Sequence, residues 1–267
     1  MMNAKGTLRK MKVTVNDGVH YQLNLNKEIG PEMNQCLDKP LTLKWTGKIN
    51  CTNCGKDLKK TFGQGFCYDC FMNAAQAAPC IIRPELCEAH LGKGRDVEWE
   101  EKHHNQPHFI YLAQTSGVKV GVTRSTNIPS RWLDQGAWRA IKIAEVPYRK
   151  LAGDVEIELK QYLSDRTDWR KMLKDERGEE DLTELRDAMI SFLPEELKEH
   201  ALKDSEVHEF AYPVSDYPEK VKSINLDKEK TIEGTLTGIR GQYLYFDHEN
   251  VINLRKYSGY EVEFDCK

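Results

Sequence analysis

Four cysteines in two matched pairs give the sequence its most specific chemical signal, Cys51-Thr-Asn-Cys54 followed by Cys67-Tyr-Asp-Cys70. Two CxxC pairs suit one tetrahedral zinc ion, each pair supplying two thiolates from a tight knuckle. A site closed by four cysteines is structural rather than catalytic. Gly55, Gly63 and Gly65 flank the pairs with the permissive backbone such knuckles use. A thioredoxin-like redox motif needs one CxxC opening a helix, not two matched pairs. A second group follows: Cys80, Cys87 and His90, with His103, His104 and His108 downstream. It offers a second zinc site of Cys80, Cys87 and His90, completed by His104 or His103. Its irregular spacing equally fits two buried cysteines and surface histidines.

A third set lies between His108 and Leu163. Tyr111 stands alone as a hydroxyl in the apolar run Phe109-Ile-Tyr-Leu112, and Lys119 sits in the run Val118 to Thr123. Arg131 falls one turn into a short helix, where a guanidinium could fork a phosphate bidentately; Lys119 could meet one as a point charge. Glu156 and Glu158 both flank the apolar stripe of the next helix, and periodicity does not choose between them.

These residues need elements to hold them. Phe109–Leu112 and Val118–Thr123 read as antiparallel strands turning at Ser116-Gly117, and Ile141–Val146 as a third strand. Gly121 inside the second strand is costly unless something approaches the backbone closely. Pro129 starts the short helix and Gly136 ends it, while Asp154 caps a helix with Val155, Leu159, Tyr162 and Leu163 on one stripe. Thr167 caps a further helix, with Trp169, Met172 and Leu173 turned inward, and Leu182–Leu193 reads as an amphipathic helix. Both chain ends read as β structure. Lys10–Val15 and Val19–Leu25 flank the turn signal Asn16-Asp17-Gly18, Pro40–Trp45 adds a strand, and residues 231–264 alternate again. Gly234-Thr-Leu-x-x-Ile239 echoes Gly6-Thr-Leu-x-x-Met11, which suggests similar β units at the two ends packed together. Pro213 and Pro218 mark a linker.

The fold class expected is α+β. A β-rich unit over residues 1–50 precedes a zinc-binding region over 51–107. A core with a three-stranded antiparallel sheet and helical extension spans 108–205, and a β unit closes the chain over 219–267. With 39% hydrophobic and 30% charged residues in a 267-residue chain, disorder and a membrane-embedded fold are both excluded. The N-terminus has no apolar signal-peptide core, so a cytoplasmic protein with reduced or metal-bound cysteines is expected. The net charge of −3 is uneven: residues 1–173 carry 26 Lys+Arg against 19 Asp+Glu, and 174–267 carry 13 against 23. A basic N-terminal side permits a polyanion partner.

The central residues resemble the GIY-YIG nuclease superfamily. Ile110-Tyr111 looks like the first half of its signature, Lys119-Val120-Gly121 sits at the spacing of the second, Arg131-Trp132 looks like its helix arginine, and Glu156 like its metal-binding glutamate. More of the chain resembles an uncharacterised bacterial family that joins such a core to a cysteine zinc site. Its closer likeness is carried by Lys119–Thr123, Arg131–Ala137, Gly153–Glu156 and Thr167–Leu173. The nuclease resemblance implies a GIY-YIG-like sheet and metal-assisted phosphodiester hydrolysis on DNA or RNA. Tyr111 would position water, Arg131 would hold the phosphate and Glu156 would bind Mg²⁺; no organic cofactor and no membrane are implied. Lys119 replaces the second signature tyrosine, and Gln135 stands where many members carry a histidine. Gln cannot act as a general base. The alternative implied is a binding adaptor that has lost cleavage.

Overall fold

Period-two apolar patterning becomes strands at both ends of the chain, as the buried alternation of Val19–Leu25 and Tyr260–Cys266 shows. The computed structural model describes residues 2–26, 28–163 and 168–267, which form a mixed α+β protein. The N-terminal part contributes β1 (Met2–Thr7), β2 (Lys12–Val15), β3 (Val19–Leu25), β4 (Glu28–Glu32) and β5 (Pro40–Asn50). The cysteine-rich part follows, with the short β6 (Asp57–Leu58), α1 (Tyr68–Asn73), a run of 3₁₀ turns and α2 (Val97–His104). The central part holds β7 (His108–Gln114), β8 (Val118–Arg124), α3 (Ser130–Asp134), β9 (Arg139–Val146) and α4 (Arg149–Lys160). Then come α5 (Trp169–Leu173), α6 (Leu182–Ser191), α7 (Glu195–Lys198), β10 (His208–Glu209) and β11 (Lys222–Ser223). The chain closes with β12 (Thr231–Arg240), β13 (Tyr243–Phe246), β14 (Asn250–Asn253) and β15 (Tyr260–Cys266). The cap expected of Thr167 lies outside the described residues; Asp168 accepts from Arg170 N and Lys171 N at the start of α5.

The two chain ends form one β body. Its sheet runs β1-β15-β5-β12-β13-β14-β11, so N- and C-terminal strands alternate over its first four positions. The GTL echo is the mark of an approximate two-fold axis. Thr7 N donates to Asn26 Oδ1 at 2.7 Å and Thr235 N to Asp247 Oδ1 at 2.8 Å. Asn26 and Asp247 both take left-handed φ, +52° and +48°. A Cβ on Gly6 would lie 2.6 Å from the Asn26 amide, and one on Gly234 2.3 Å from the Asp247 carboxylate, which is why glycine precedes the threonine in both halves. Leu8 bonds the backbone at Tyr260 and Gly259, as Leu236 does at Lys39 and Asp38. The first strand of each half therefore pairs with the last strand of the other. Such an exchange buries both halves in one apolar core, from Leu8 and Leu43 to Leu236 and Phe264.

The central sheet has the order β10-β9-β7-β8, leaving β8 at an edge. Ile110, Leu112, Val120 and Val122 face α4 and α6, while Tyr111 and Ala113 face Trp132 of α3. Gly121 lies opposite Tyr111, and a Cβ there would come 2.6 Å from the Tyr111 hydroxyl: the close approach its position called for is the tyrosine ring. The segment marked by Pro213 and Pro218 is no free linker. Phe210 N donates to Trp138 O, Tyr212 Oη to Ala137 O at 2.6 Å, and Val214 bridges Gly238, tying the central sheet to the β body.

α4 begins at Arg149, with Tyr148 in the N-cap position and no side-chain cap, and not at Asp154. Gly153 sits mid-helix. A Cβ there would meet Glu85 N at 2.2 Å and Pro84 C at 2.6 Å, so the glycine admits the loop between Cys80 and Cys87.

His108 supplies a pH test of the core. It is fully buried, its Nδ1 lies 2.7 Å from Gln106 O, and burial pushes it down to about 4. The unfolded chain takes up this proton near pH 6.5 and the folded one refuses it until about pH 4. Its contribution is therefore present above pH 6.5 and lost as pH falls through that window, up to about 3 kcal/mol. Urea midpoints measured from pH 7 to 4.5 are expected to fall, and to fall less in His108→Gln.

Candidate metal centres and an arginine-lined cleft

The first metal group is the four-cysteine set expected. One Sγ each from Cys51, Cys54, Cys67 and Cys70 lie within 4.8 Å of one another. The Cys54–Cys67 separation of 3.9 Å suits tetrahedral zinc, whose bonds of about 2.3 Å place neighbouring sulfurs about 3.8 Å apart. Backbone geometry prepares the thiolates: Asn53 N and Cys67 N approach Cys51 Sγ at 3.4 and 3.2 Å. Burial works against the Cys51 thiolate, but these N–H groups and that of Cys54 win, lowering it to about 6. The Asn53 amide favours a thiolate at Cys70, yet burial and three neighbouring thiols push that residue up to about 12. Several thiolates cannot share so small a volume without a cation, and a metal relieves the conflict.

The second group is Cys80, Cys87, Glu100 and His104, all buried and again within 4.8 Å. His104 Nδ1 lies 3.5 Å from Cys87 Sγ, 3.9 Å from Cys80 Sγ and 3.5 Å from Glu100 Oε2. The hydrogen bond from Cys80 and the contact with His104 outweigh burial and lower Cys87 to about 4, while Cys87 and burial together raise Cys80. The donor set is compatible with zinc. It corrects the expected set in one place: His90 is not a member. Its ring stacks on Tyr148 at 4.7 Å, turned there by the 3₁₀ turn Ala89–Leu91, and Glu100 takes its place one helical turn before His104 on α2. His104 is the histidine used; His103 is not.

Beside this second group, at the edge of β8, opens a cleft of about 370 Å³ between α2, α4, the zinc region and the β body. Four arginines line it: Arg124 from β8, Arg131 from α3, Arg149 from the first turn of α4 and Arg255 from the β body. Each guanidinium is held by a neutral acceptor. Arg124 reaches His103 Nδ1 at 2.8 Å and Arg255 reaches Gln64 Oε1 at 3.1 Å. Arg149 donates to Cys80 O at 3.0 and 2.8 Å and to Ile81 O at 3.0 Å, and Arg131 hydrogen-bonds the Tyr111 hydroxyl. Among the described residues no carboxylate forms a salt bridge with any of the four, whereas Arg83, Arg177 and Arg240 are each paired with one. His103, lowered first by burial and then by Arg124, accepts at Nδ1 and so presents Nε2–H as a further donor.

The residues singled out in the sequence divide at this cleft. Arg131 and Glu156 line it, Glu156 being 9% exposed and 3.5 Å from Lys160. Glu158 is exposed and is not among the lining residues. Tyr111 lies beneath the cleft, fully buried; its oxygen takes donors from Arg131 and from Gln135 Nε2 at 2.9 Å. Burial nevertheless raises its pKa, so it is a neutral phenol holding Arg131 in place. Lys119 does not line the cleft, because it stands at the other end of β8, opposite Ala113.

Sequence reasoning missed Arg124, Arg149 and Arg255, and offered His103 only as a zinc ligand rather than as a cleft residue. Arg149 carried the only local signal, as the residue after Tyr148 at the true start of α4. Arg255 occupies the place that Asn34 takes in the other half of the β body, where Asn34 bonds Tyr21 N and Val19 O. The two-fold likeness ends there, and only one copy points a charge at the cleft.

Among the described residues no helix is long and apolar enough to cross a membrane. No curated protein and no solved structure matches the chain significantly. Residues 38–262, which include both cysteine groups, the central sheet and most of the β body, match one family along their whole length. The chain belongs to that family, described as a protein of unknown function, DUF2797.

Proposed function

We propose that this protein binds nucleic acid through the phosphodiester backbone, which the arginine cleft grips. The observation that carries this reading is the convergence of four guanidiniums, each anchored by a neutral group, on a single opening. The four arginines share the opening with one carboxylate, Glu156, so the cleft keeps an excess of positive charge, which an anion with several oxygens relieves. A phosphodiester fits, since arginine's fork matches paired phosphate oxygens. The cysteine groups act as structural zinc sites that hold two walls of the cleft.

The expected result is a loss of about tenfold to a hundredfold in oligonucleotide affinity for Arg131→Ala and for Arg149→Ala, from charge-assisted hydrogen bonds of roughly 1.5–3 kcal/mol. Each should also flatten the salt dependence of binding. Lys119→Ala, away from the cleft, should change affinity less than twofold. Fluorescence anisotropy at several salt concentrations measures all three; unchanged affinity and salt slope in both arginine variants would refute the reading.

Phosphodiester hydrolysis is the second reading, favoured by Glu156 in the same cleft as Arg131. Mg²⁺ is held by one or two carboxylates together with substrate phosphates, so Glu156 fits as its protein ligand. When bound, the ion would supply positive charge at a departing oxygen. Arg131 would orient the phosphate, and Tyr111, a buried neutral phenol, would fix Arg131 rather than accept a proton. The endonuclease-type resemblance rests on these motif residues themselves. Glu156→Ala should abolish any cleavage of mixed DNA and RNA supported by Mg²⁺ or Mn²⁺ and leave binding in place. Undiminished cleavage would remove Glu156 from the assignment.

A further inference from the structure

A second groove adjoins the cleft. About 550 Å³ in volume, it runs between the β body, through Arg9, Lys12 and Asn24, and the zinc region, through Asn53, Gln64 and Gln76. Gln64 and Arg255 line both cavities, so the two adjoin at this hydrogen-bonded pair. Among the described residues no Asp or Glu lines the groove. Arg9, like the cleft arginines, is anchored by a neutral acceptor, the Thr52 carbonyl, and Lys12 is exposed. Lys10 is the one cation there that is matched, lying 2.5 Å from Asp134. The remaining lining is rich in side-chain amides, which offer donors and acceptors together.

We infer that the groove holds the continuation of one unpaired nucleic-acid strand whose neighbouring phosphate rests on Arg131, Arg149 and Arg255; this builds on the reading of the cleft as a phosphodiester site. Uncompensated cations spaced along a walled path track a backbone, and amides along the walls meet base edges that only an unpaired strand exposes. The cavities are of small-ligand size, with room for a few nucleotides and not for a paired duplex. Arg255 is the hinge of the path, reaching the cleft from the same β body that supplies Arg9 and Lys12.

The test uses full-length zinc-loaded protein and fluorescein-labelled oligothymidylates of 3 and 12 nucleotides, with a 12-base-pair duplex alongside. The parent is expected to bind the 12-mer at least tenfold more tightly than the 3-mer, and more tightly than the duplex. Lys12→Glu combined with Gln76→Glu places carboxylates on facing walls at two exposed positions. It should erase the length advantage, lower the salt slope by about one, since a single strand contributes about 0.7 per phosphate, and leave the 3-mer unchanged. Lys12→Ala should give the same change at smaller size. Equal affinity for 3-mer and 12-mer in the parent, or a length advantage that survives in the double variant, overturns the groove and leaves the cleft reading intact. Tighter binding of the duplex overturns the single strand. Binding of neither oligonucleotide refutes the cleft and the groove together.

Discussion

Cys51→Ser is expected to yield a chain that retains at most one equivalent of zinc and loses cooperative unfolding of the region from Asn50 to Asn73. The reason lies in how much rests on this one sulfur. Cys51 is buried, accepts two backbone N–H groups, and joins β5 to the knuckle that ends at Cys67. Gly65 is packed so closely that a Cβ would meet Ser258 O at 2.6 Å, so the knuckle leans directly on the β body. Apolar packing inside the knuckle is slight: Phe62, Tyr68 and Phe71 form a small ring cluster, and Tyr68 and Met72 are exposed. Segments this thin draw their folding free energy from the metal, of order 10 kcal/mol for four-ligand zinc sites. Metal analysis of the parent should give two equivalents. Chelation should collapse the same region and, by releasing Gln64 from Arg255, weaken oligonucleotide binding. A Cys51→Ser protein with two equivalents of zinc and unchanged melting would refute a structural role.

What could be read from the chain depended on how local the information was. The CxxC pairs are local, and their spacing alone singled out four residues that the fold brings together. The second group crosses 3₁₀ turns, where no period holds, and so the sequence pointed to His90 and not to Glu100. In retrospect the i,i+4 spacing of Glu100 and His104 is a helical signal that the histidine count concealed. Tyr111 and Gly121 were legible as neighbours because strand pairing fixes their register, whereas Arg131 reaches Tyr111 from α3. The enclosure of Tyr111 was not legible, because it is made by Trp132 and Gln135 from another element. Arg255 was out of reach for a deeper reason. Exchange of strands between the two halves of the β body brings the last part of the chain against the first, and only the GTL echo hinted at it. The role of Gly153 was not legible either. A glycine in a helix interior is normally a weakness, and this one exists to let another backbone in.

That contact makes Gly153→Ala the sharpest single test of whether the second metal group and the cleft are one machine. In an ordinary helix the change would stabilise by about 1 kcal/mol, through propensity alone. Here the new Cβ would stand 2.2 Å from Glu85 N and 2.6 Å from Pro84 C, atoms of a backbone with no rotamer to change. The loop must move by roughly an ångström or the helix must, and overpacking of this kind costs about 3 kcal/mol. The sign of the effect is therefore opposite to the usual one. Displacement would also travel in two directions. Pro84 and Glu85 lie between Cys80 and Cys87, so the four-ligand cluster loses its spacing; Arg149, one turn before Gly153, is held by the Cys80 and Ile81 carbonyls of the same loop. Gly153→Ala should thus lose one equivalent of zinc and most of the oligonucleotide affinity together, while the four-cysteine site stays filled. Gly117→Ala, at a turn with open space around it, is the control and should change neither. If zinc falls while oligonucleotide affinity holds, Arg149 is placed by α4 alone and the metal loop is only a neighbour. If both hold and the protein is more stable, the loop is not seated on the helix as described.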